Sequence, residues 1–402
     1  MGATTARPRR GHRSKPEPER APAAGPSPSV QSSNGRATGW TSHLPPSWVP
    51  YVELARLTMP AALFLIYLPT LFGVVLAAVL ARRGSGSGNA DGGFDFPNPW
   101  WYTCLLLFVA SFFFSNAAHA WNDLIDAPFD ALVSRTARRP IPRGAISRPA
   151  AVAFAAANAT ITGAALLGFP DPAGAFRYAL PNIIATIYYP YAKRHTNLPQ
   201  LVLGFCLAWG IVMGAVAVGC EPFALSNTIR LHPRPPNLPH VFSPHLHHTH
   251  DHPLSTTTTT TTPTFPSIPS IPSIPSIPTT LTLGPLTLST PFLTLFTASA
   301  LWSAIYDTIY AADDLAGDTR LGLGSLVVLC GGHPGRTKTA MGGLLVLFAG
   351  CLVLCGLSLP VGGAGWGFYV LAPGGCTVSL GVMVARVDLG DARILQGTDC
   401  PV

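Results

Sequence analysis

Residues 101–144 read WYTCLLLFVASFFFSNAAHA followed by WNDLIDAPFDALVSRTARRPIPRG. The first part is almost wholly apolar. The second carries one Asn, three Asp and four Arg in a chain that is only 11% charged. That contrast predicts a greasy helix with chemistry at its mouth. Soluble domains are about one-quarter charged, whereas this chain is 48% hydrophobic with a mean hydropathy of +0.35.

Outward from this stretch, apolar runs near the ~20 residues that cross a bilayer recur. The expected spans are 57–80, 101–121, 150–168, 176–191, 201–220, 291–312, 338–358 and 365–386. The fourth is short and interrupted by Pro181 and Pro190, and the eighth contains Pro373, Gly374 and Gly375. Charge supports the arrangement. With the N-terminus inside, the segments 1–56, 122–149, 192–200, 313–338 and the tail hold 20 of the 25 Lys and Arg. Such asymmetry follows the positive-inside rule, so the net charge of +7 calls for no nucleic-acid partner. The chain reads as an all-α, polytopic membrane helical bundle.

The rest of the chain divides by composition. Residues 1–48 form a Pro-, Arg- and Ser-rich tail, and 221–288 a low-complexity Thr/Pro/His insert between membrane parts 49–220 and 289–388, with 389–402 as a tail. The insert contains His245, His247, His248, His250 and His252, seven consecutive Thr and four SIP repeats. Its composition favours polyproline-II geometry and adventitious rather than functional metal binding. The eight Cys show no CxxC pair, so they read as buried thiols. They do not report a redox compartment.

A second acidic cluster lies in YDTIYAADDLAGDTRLGLGS, residues 306–325. At ~100° per residue, Asp314 and Asp318 fall within about 20° of Asp307 on a helical wheel, while Asp313 points about 120° away. In the first cluster Asn122, Asp126 and Asp130 are spaced i, i+4, i+8, drifting by ~40° per step. Stacked carboxylates at a membrane boundary repel one another unless something positive lies between them. Carboxylate and amide oxygens suit Mg²⁺, which keeps waters and shares its remaining positions with substrate phosphates. Arg135, Arg138, Arg139 and Arg143 follow the first cluster, and Lys193 and Arg194 end the fourth span. Such residues bind phosphate oxygens. Acids, a divalent cation and basic groups around an apolar cavity point to a diphosphate with a hydrophobic tail. Structural ion pairs, topology anchoring (the reading for Arg148) and a proton or ion path compete with that assignment. Transport acids, however, lie nearer mid-membrane.

The motifs resemble those of the UbiA-type intramembrane prenyltransferase family. Asn122, Asp123, Asp126 and Asp130 match NDxxDxxxD. Arg135, Thr136, Arg139 and Pro140 match RTxxRP, with Arg138 at an intervening position. Tyr189 and Lys193 match YxxxK, and Asp307, Asp314 and Asp318 match the second aspartate motif. WNDxxDxxFD and RPIxRGAIS look most like the fungal meroterpenoid branch, which prenylates aromatic polyketides.

The resemblance implies nine transmembrane helices around a central cavity, eight of which are counted above. VDLGDARILQGTDCPV stands where a ninth would begin. It implies Mg²⁺ on Asn122, Asp126 and Asp130, and a second ion on Asp314 and Asp318. Asp307 would serve the second ion or orient the acceptor. Lys193, with Arg138 or Arg139, would neutralise the leaving diphosphate, and Arg56 and Arg194 would add phosphate contacts. Tyr189 and Tyr310 would face the carbocation. The implied reaction is farnesyl-type prenyl transfer to an aromatic or phenolic acceptor in an endomembrane such as the endoplasmic reticulum. The mitochondrial inner membrane is the alternative location, and no partner beyond substrates and lipid is called for. Competing functions are a membrane terpene cyclase, a 4-hydroxybenzoate polyprenyltransferase of ubiquinone synthesis and an inactive truncated member. The sequence departs from the family at Gly317, where an acid is usual, and Gly324, where a Lys is usual.

Overall fold

The computed structural model describes residues 2, 39–58, 61–84, 97–133, 136–224, 278, 280–283, 286–359, 365–387 and 389. The histidine-rich tract, Arg135 and, apart from Val387 and Leu389, the stretch reserved for a ninth helix lie outside the described residues. Residues 1–45 form one unit, of which a 3-10 turn at Gly39–His43 is described, and 46–402 the other.

The second unit starts with α1 (Val49–Leu54), α2 (Ala61–Gly84), α3 (Trp100–Asp130), α4 (Arg148–Leu166), α5 (Pro172–His195) and α6 (Pro199–Ala217). Short strands β1 (Phe223–Ala224), β2 (Thr280–Leu283) and β3 (Leu286–Ser289) follow. Then come α7 (Thr290–Asp313), α8 (Leu315–Leu321), α9 (Leu326–Leu329), α10 (Pro334–Leu357), α11 (Trp366–Tyr369) and α12 (Thr377–Arg386). Among the described residues seven helices, counting 366–386 as one, are long and apolar enough to cross a membrane. With 24 residues α5 matches them in length, but it is more polar. The protein is an integral membrane helical bundle.

Three expectations are refined. The apolar run expected at 101–121 belongs to a 31-residue helix that continues through all the first-cluster acids to Asp130. At 1.5 Å per residue α3 is about 46 Å long, well beyond the ~30 Å hydrocarbon layer, so its acidic turns can project from the apolar zone. Pro181 and Pro190 do not interrupt α5, which runs through both; neighbouring helices make such positions tolerable inside a bundle. Pro373 with Gly374 and Gly375 is absorbed in a π-helical turn, Val370–Cys376, that joins α11 to α12, a common way to take up a residue that cannot donate.

Helix α6 packs on α2, α5 and α7; α3 lies along α4, and α10 along α7 and α12. The α2–α6 seam depends on glycine. A methyl group on Gly73 would lie 2.0 Å from the Ile211 carbonyl oxygen, and one on Gly214 1.9 Å from that of Thr70. Small residues permit this backbone approach where burial alone does not drive helices together. A second apolar cluster fixes the ground beneath the acids. Leu54 of α1, Ala120, Leu124 and Ala127 of α3, Ile141 and Ile146 of the following loop, and Ala151 of α4 pack together.

The all-α expectation needs one amendment. β1, β3 and β2 form an antiparallel sheet in that order. Phe223 pairs with Leu288 and Leu281 with Leu288, so the two ends of the insert meet across the central strand. The Tyr178 hydroxyl donates to the Phe223 carbonyl, and Trp209 Nε1 donates to the Tyr178 carbonyl at 2.7 Å. The sheet is thereby fastened where α6 ends and α7 begins, opposite the acidic helix ends.

Candidate active site

The last turns of α3 present the first acidic cluster. Asp123, only 2% exposed, accepts from two arginines at one oxygen: Arg56 Nη2 at 2.9 Å and Arg139 Nη1 at 3.2 Å. Arg139 also donates to Asp130 Oδ2 at 2.7 Å. Burial works against the Arg139 charge, but Asp123 and Asp130 outweigh it and raise the guanidinium above its ordinary pKa. Arg56 holds its place with a left-handed backbone, φ +55°, a conformation that costs a non-glycine residue energy. The loop carrying Arg139 is fixed locally. Thr136 Oγ1 donates to the Asp130 carbonyl at 2.9 Å, and Arg143 bonds Glu53 of α1 and the Arg138 carbonyl.

Helix α5 supplies the next groups. Trp121 Nε1 donates to the Ile187 carbonyl at 3.1 Å, holding α3 beside α5. Arg194 Nη2 stands 3.6 Å from Asp126 Oδ1 and 3.3 Å from the Ile125 carbonyl, with its guanidinium 4.6 Å from the Phe129 ring centre. Lys193 acts electrostatically on both Asp126 of α3 and Asp307 of α7. The Tyr189 hydroxyl is influenced by the same two acids and by Arg56. Tyr189 and Lys193 lie one turn apart near the C-terminal end of α5.

The second cluster occupies the end of α7 and the turn into α8. Asp314 and Asp318 both act on Asp307. Asp318 is buried, and its N–H donates to the Asp314 carbonyl at 2.8 Å. Asp313 is exposed, as its wheel position predicts. Gly324 N–H donates to the Lys193 carbonyl at 2.6 Å. A methyl group at 324 would lie 2.3 Å from the Thr196 carbonyl oxygen. The departure from the family at Gly324 thus coincides with a close backbone approach that ties the second segment to the end of α5. At Gly317, the other departure, a methyl group would lie 3.4 Å from a Val133 methyl carbon, which is ordinary contact distance.

Two expected site residues stand apart. Arg138 is exposed, and among the described residues its side chain forms no ion pair, so adjacent Arg139 is the one turned onto the acids. Tyr310 is 52% exposed and belongs to an aromatic ladder with Tyr306 and Trp302 along α7. Asp123 is the residue whose role the sequence did not reveal. Its partners are 67 and 16 residues away, and the only signal was its place beside Asn122.

The donor set fits Mg²⁺. Asn122 Oδ1 is buried without a hydrogen-bond partner among the described residues, an arrangement costly for an amide oxygen that nothing else satisfies. Among the described residues no three acidic, His or Cys side chains form a complete cage. A cation that keeps waters and shares phosphate oxygens needs only a few protein ligands.

Helices arranged with acids and basic groups at one end can be compared with known proteins. Residues 66–242 match the UbiA prenyltransferase family. Among similar proteins, the prenyltransferase stbC of Stachybotrys bisbyi is 31% identical over 48% of this chain and 54% of its own length. The DMOA farnesyltransferase nvfB of Aspergillus novofumigatus is 36% identical over 46% of this chain and 54% of its own. The chain spans about half the length of these relatives. A UbiA homologue from Archaeoglobus fulgidus, solved bound to GPP and Mg²⁺, has a TM-score of 0.50 at 14% identity, covering 86% of this chain and 93% of that one. This likeness establishes the fold alone.

Proposed function

We propose that the chain transfers a farnesyl-type prenyl group from an allylic diphosphate to an electron-rich aromatic or phenolic acceptor, with Mg²⁺ as cofactor, in an endomembrane such as the endoplasmic reticulum. The observation that supports this most is the buried, unpartnered Asn122 Oδ1 on the same helix end as the acids that Arg56, Arg139 and Arg194 reach. The fungal relatives' names, a DMOA farnesyltransferase among them, support the donor and acceptor classes.

Asn122, Asp126 and Asp130 on one side, and Asp314 and Asp318 on the other, are the residues that would hold Mg²⁺, which neutralises diphosphate oxygens when bound. Lys193, Arg139, Arg194 and Arg56 bind the remaining phosphate charge. Asp307 would contribute at the second metal position or orient the acceptor. With the leaving charge stabilised, the allylic C–O bond breaks with both electrons on oxygen. The Tyr189 ring would face the cation. An electron pair of the aromatic acceptor forms the new C–C bond, and loss of a ring proton restores aromaticity. Fixed charges and positioning supply most of the rate, while the apolar helices exclude the water that would capture the cation.

The test uses membranes expressing the full chain, labelled farnesyl diphosphate and a panel of phenolic acids. A prenylated phenol that requires both Mg²⁺ and acceptor is the expected result. A labelled hydrocarbon or alcohol formed without acceptor would replace this reading with a cyclase. No product across donors and acceptors, from protein shown to be in the membrane, would count against catalysis.

A further inference from the structure

The acidic stripe of α3 carries one more polar group, to which the mechanism above gives no role. His119 lies three residues before Asn122 and seven before Asp126. At ~100° per residue it falls within about 20° of Asp126 and of Asp130 on the wheel. Seven residues of rise set it about 10 Å deeper than Asp126 along the helix, toward the apolar end of the stripe. Asp123, which Arg56 and Arg139 reach, lies four residues on along the same helix, so His119 borders the site.

The ring's hydrogen bonding fixes what it can offer. His119 Nδ1 lies 2.7 Å from the Ser115 carbonyl oxygen, one turn earlier. A carbonyl only accepts, so Nδ1 carries the proton, and in the neutral ring Nε2 is then an acceptor. Among the described residues no donor reaches Nε2, and it is not among the sealed polar atoms of the interior. A lone pair at this depth needs a donor. The prenyl chain has none, and an ionised diphosphate offers only acceptors. Of the reactants, a hydroxyl of the aromatic acceptor is the group that fits.

We infer that His119 Nε2 accepts a hydrogen bond from a hydroxyl of the aromatic acceptor and sets which ring carbon faces the allylic carbon. This rests on the prenyl-transfer reading. The bond also leaves more electron density on the phenol oxygen and hence on the ring carbons that attack. His119 is thus an acceptor-binding residue that selects for hydroxylated rings.

The experiment compares wild-type, His119→Phe and His119→Gln in membranes, using a phenol that the wild type prenylates and its methyl ether. Losing one neutral hydrogen bond predicts a rise of about five- to tenfold in the phenol KM for His119→Phe. The prenyl diphosphate KM stays unchanged, and the product shifts toward mixed regioisomers. His119→Gln, which keeps an acceptor oxygen, recovers most of the phenol affinity. The methyl ether is used poorly by the wild type and loses nothing further in His119→Phe, because the bond is already absent. An unchanged phenol KM in His119→Phe, or losses that simply add between methyl ether and variant, would overturn the inference. A parallel rise in the prenyl diphosphate KM would overturn it too, because that marks general damage to the site. If His119→Phe does not accumulate in the membrane, His119→Leu takes its place with the same expectations. A wild type that prenylates no phenol defeats the underlying reading and this inference with it, whereas one that does so while His119→Phe keeps its phenol KM defeats the inference alone.

Discussion

The acidic end of α3 takes arginines from distant parts of the chain, whereas at the acidic end of α7 and α8 backbone bonds tie a short turn to the end of α5. Arg56, Arg139 and Arg194 come from three different segments to reach Asp123, Asp130 and Asp126. On the other side, Asp318 N–H bonds the Asp314 carbonyl and Gly324 N–H bonds the Lys193 carbonyl. The contrast shows two ways to hold carboxylates where charge is costly. One compensates them with guanidiniums already in place. The other fixes the geometry of a short turn and borrows Lys193 from α5.

The comparison predicts a graded set of effects. Asp126→Asn should do most harm, because Asp126 lies between Lys193, Arg194 and the proposed metal position. Turnover should fall by about 100-fold or more, with membrane insertion unchanged, measured as labelled product per amount of inserted protein. Full activity in that variant would sink the ligand assignment.

Asp123→Asn should come next, and through stability as well as binding. Breaking a fully buried pair costs about 3–5 kcal/mol. With side-chain exposures of 37% for Arg56 and 24% for Arg139, about 2 kcal/mol is the expected loss after solvent screening. Thermal melting in detergent should drop by a few degrees, and the prenyl diphosphate KM should rise as both arginines come loose. A variant that melts normally would show that the arginines are held by something else.

Gly324→Ala tests the backbone side of the comparison. Its methyl group has no room against Thr196, so the second segment must move away from α5; overpacking of this kind costs about 1–3 kcal/mol. Activity should fall by about tenfold on that basis, with less effect on prenyl diphosphate binding than Asp123→Asn produces. Smallest of all is Arg138→Ala. An exposed arginine without an ion pair among the described residues should change activity by no more than about twofold; a large loss would mean that Arg138, and not only Arg139, serves the leaving group.

Much of this arrangement is legible in local spacing. The i, i+4, i+8 pattern of Asn122, Asp126 and Asp130 places them along one side of a helix, and α3 does continue through them. Apolar runs likewise locate the helices, since lipid leaves the backbone few other options. What local spacing does not carry is tertiary. Charge and spacing alone do not distinguish Arg138 from Arg139, although only Arg139 falls on the Arg of RTxxRP; in the fold it is Arg139 that meets the acids. Arg56 meets Asp123 across 67 residues. Gly324 reads as a lost lysine in sequence, yet in the fold it is the residue that lets the chain pass close to Thr196. The sheet escapes sequence reading because strands of two to four residues beside a repetitive tract give no usable periodicity.

That sheet has a consequence for how the chain tolerates change. Because Phe223 and Ser289 sit side by side, with Ser289 N–H bonded to the Pro222 carbonyl at 3.1 Å, the chain departs from the helices and rejoins them through a single doorway. Doubling the length of a flexible excursion between fixed ends costs only about 0.6 kcal/mol. The junction of α6 and α7 is therefore indifferent to what lies beyond the doorway. Genetic material can accumulate or be lost there, and a reporter domain can be spliced in, without the acidic helix ends registering the change.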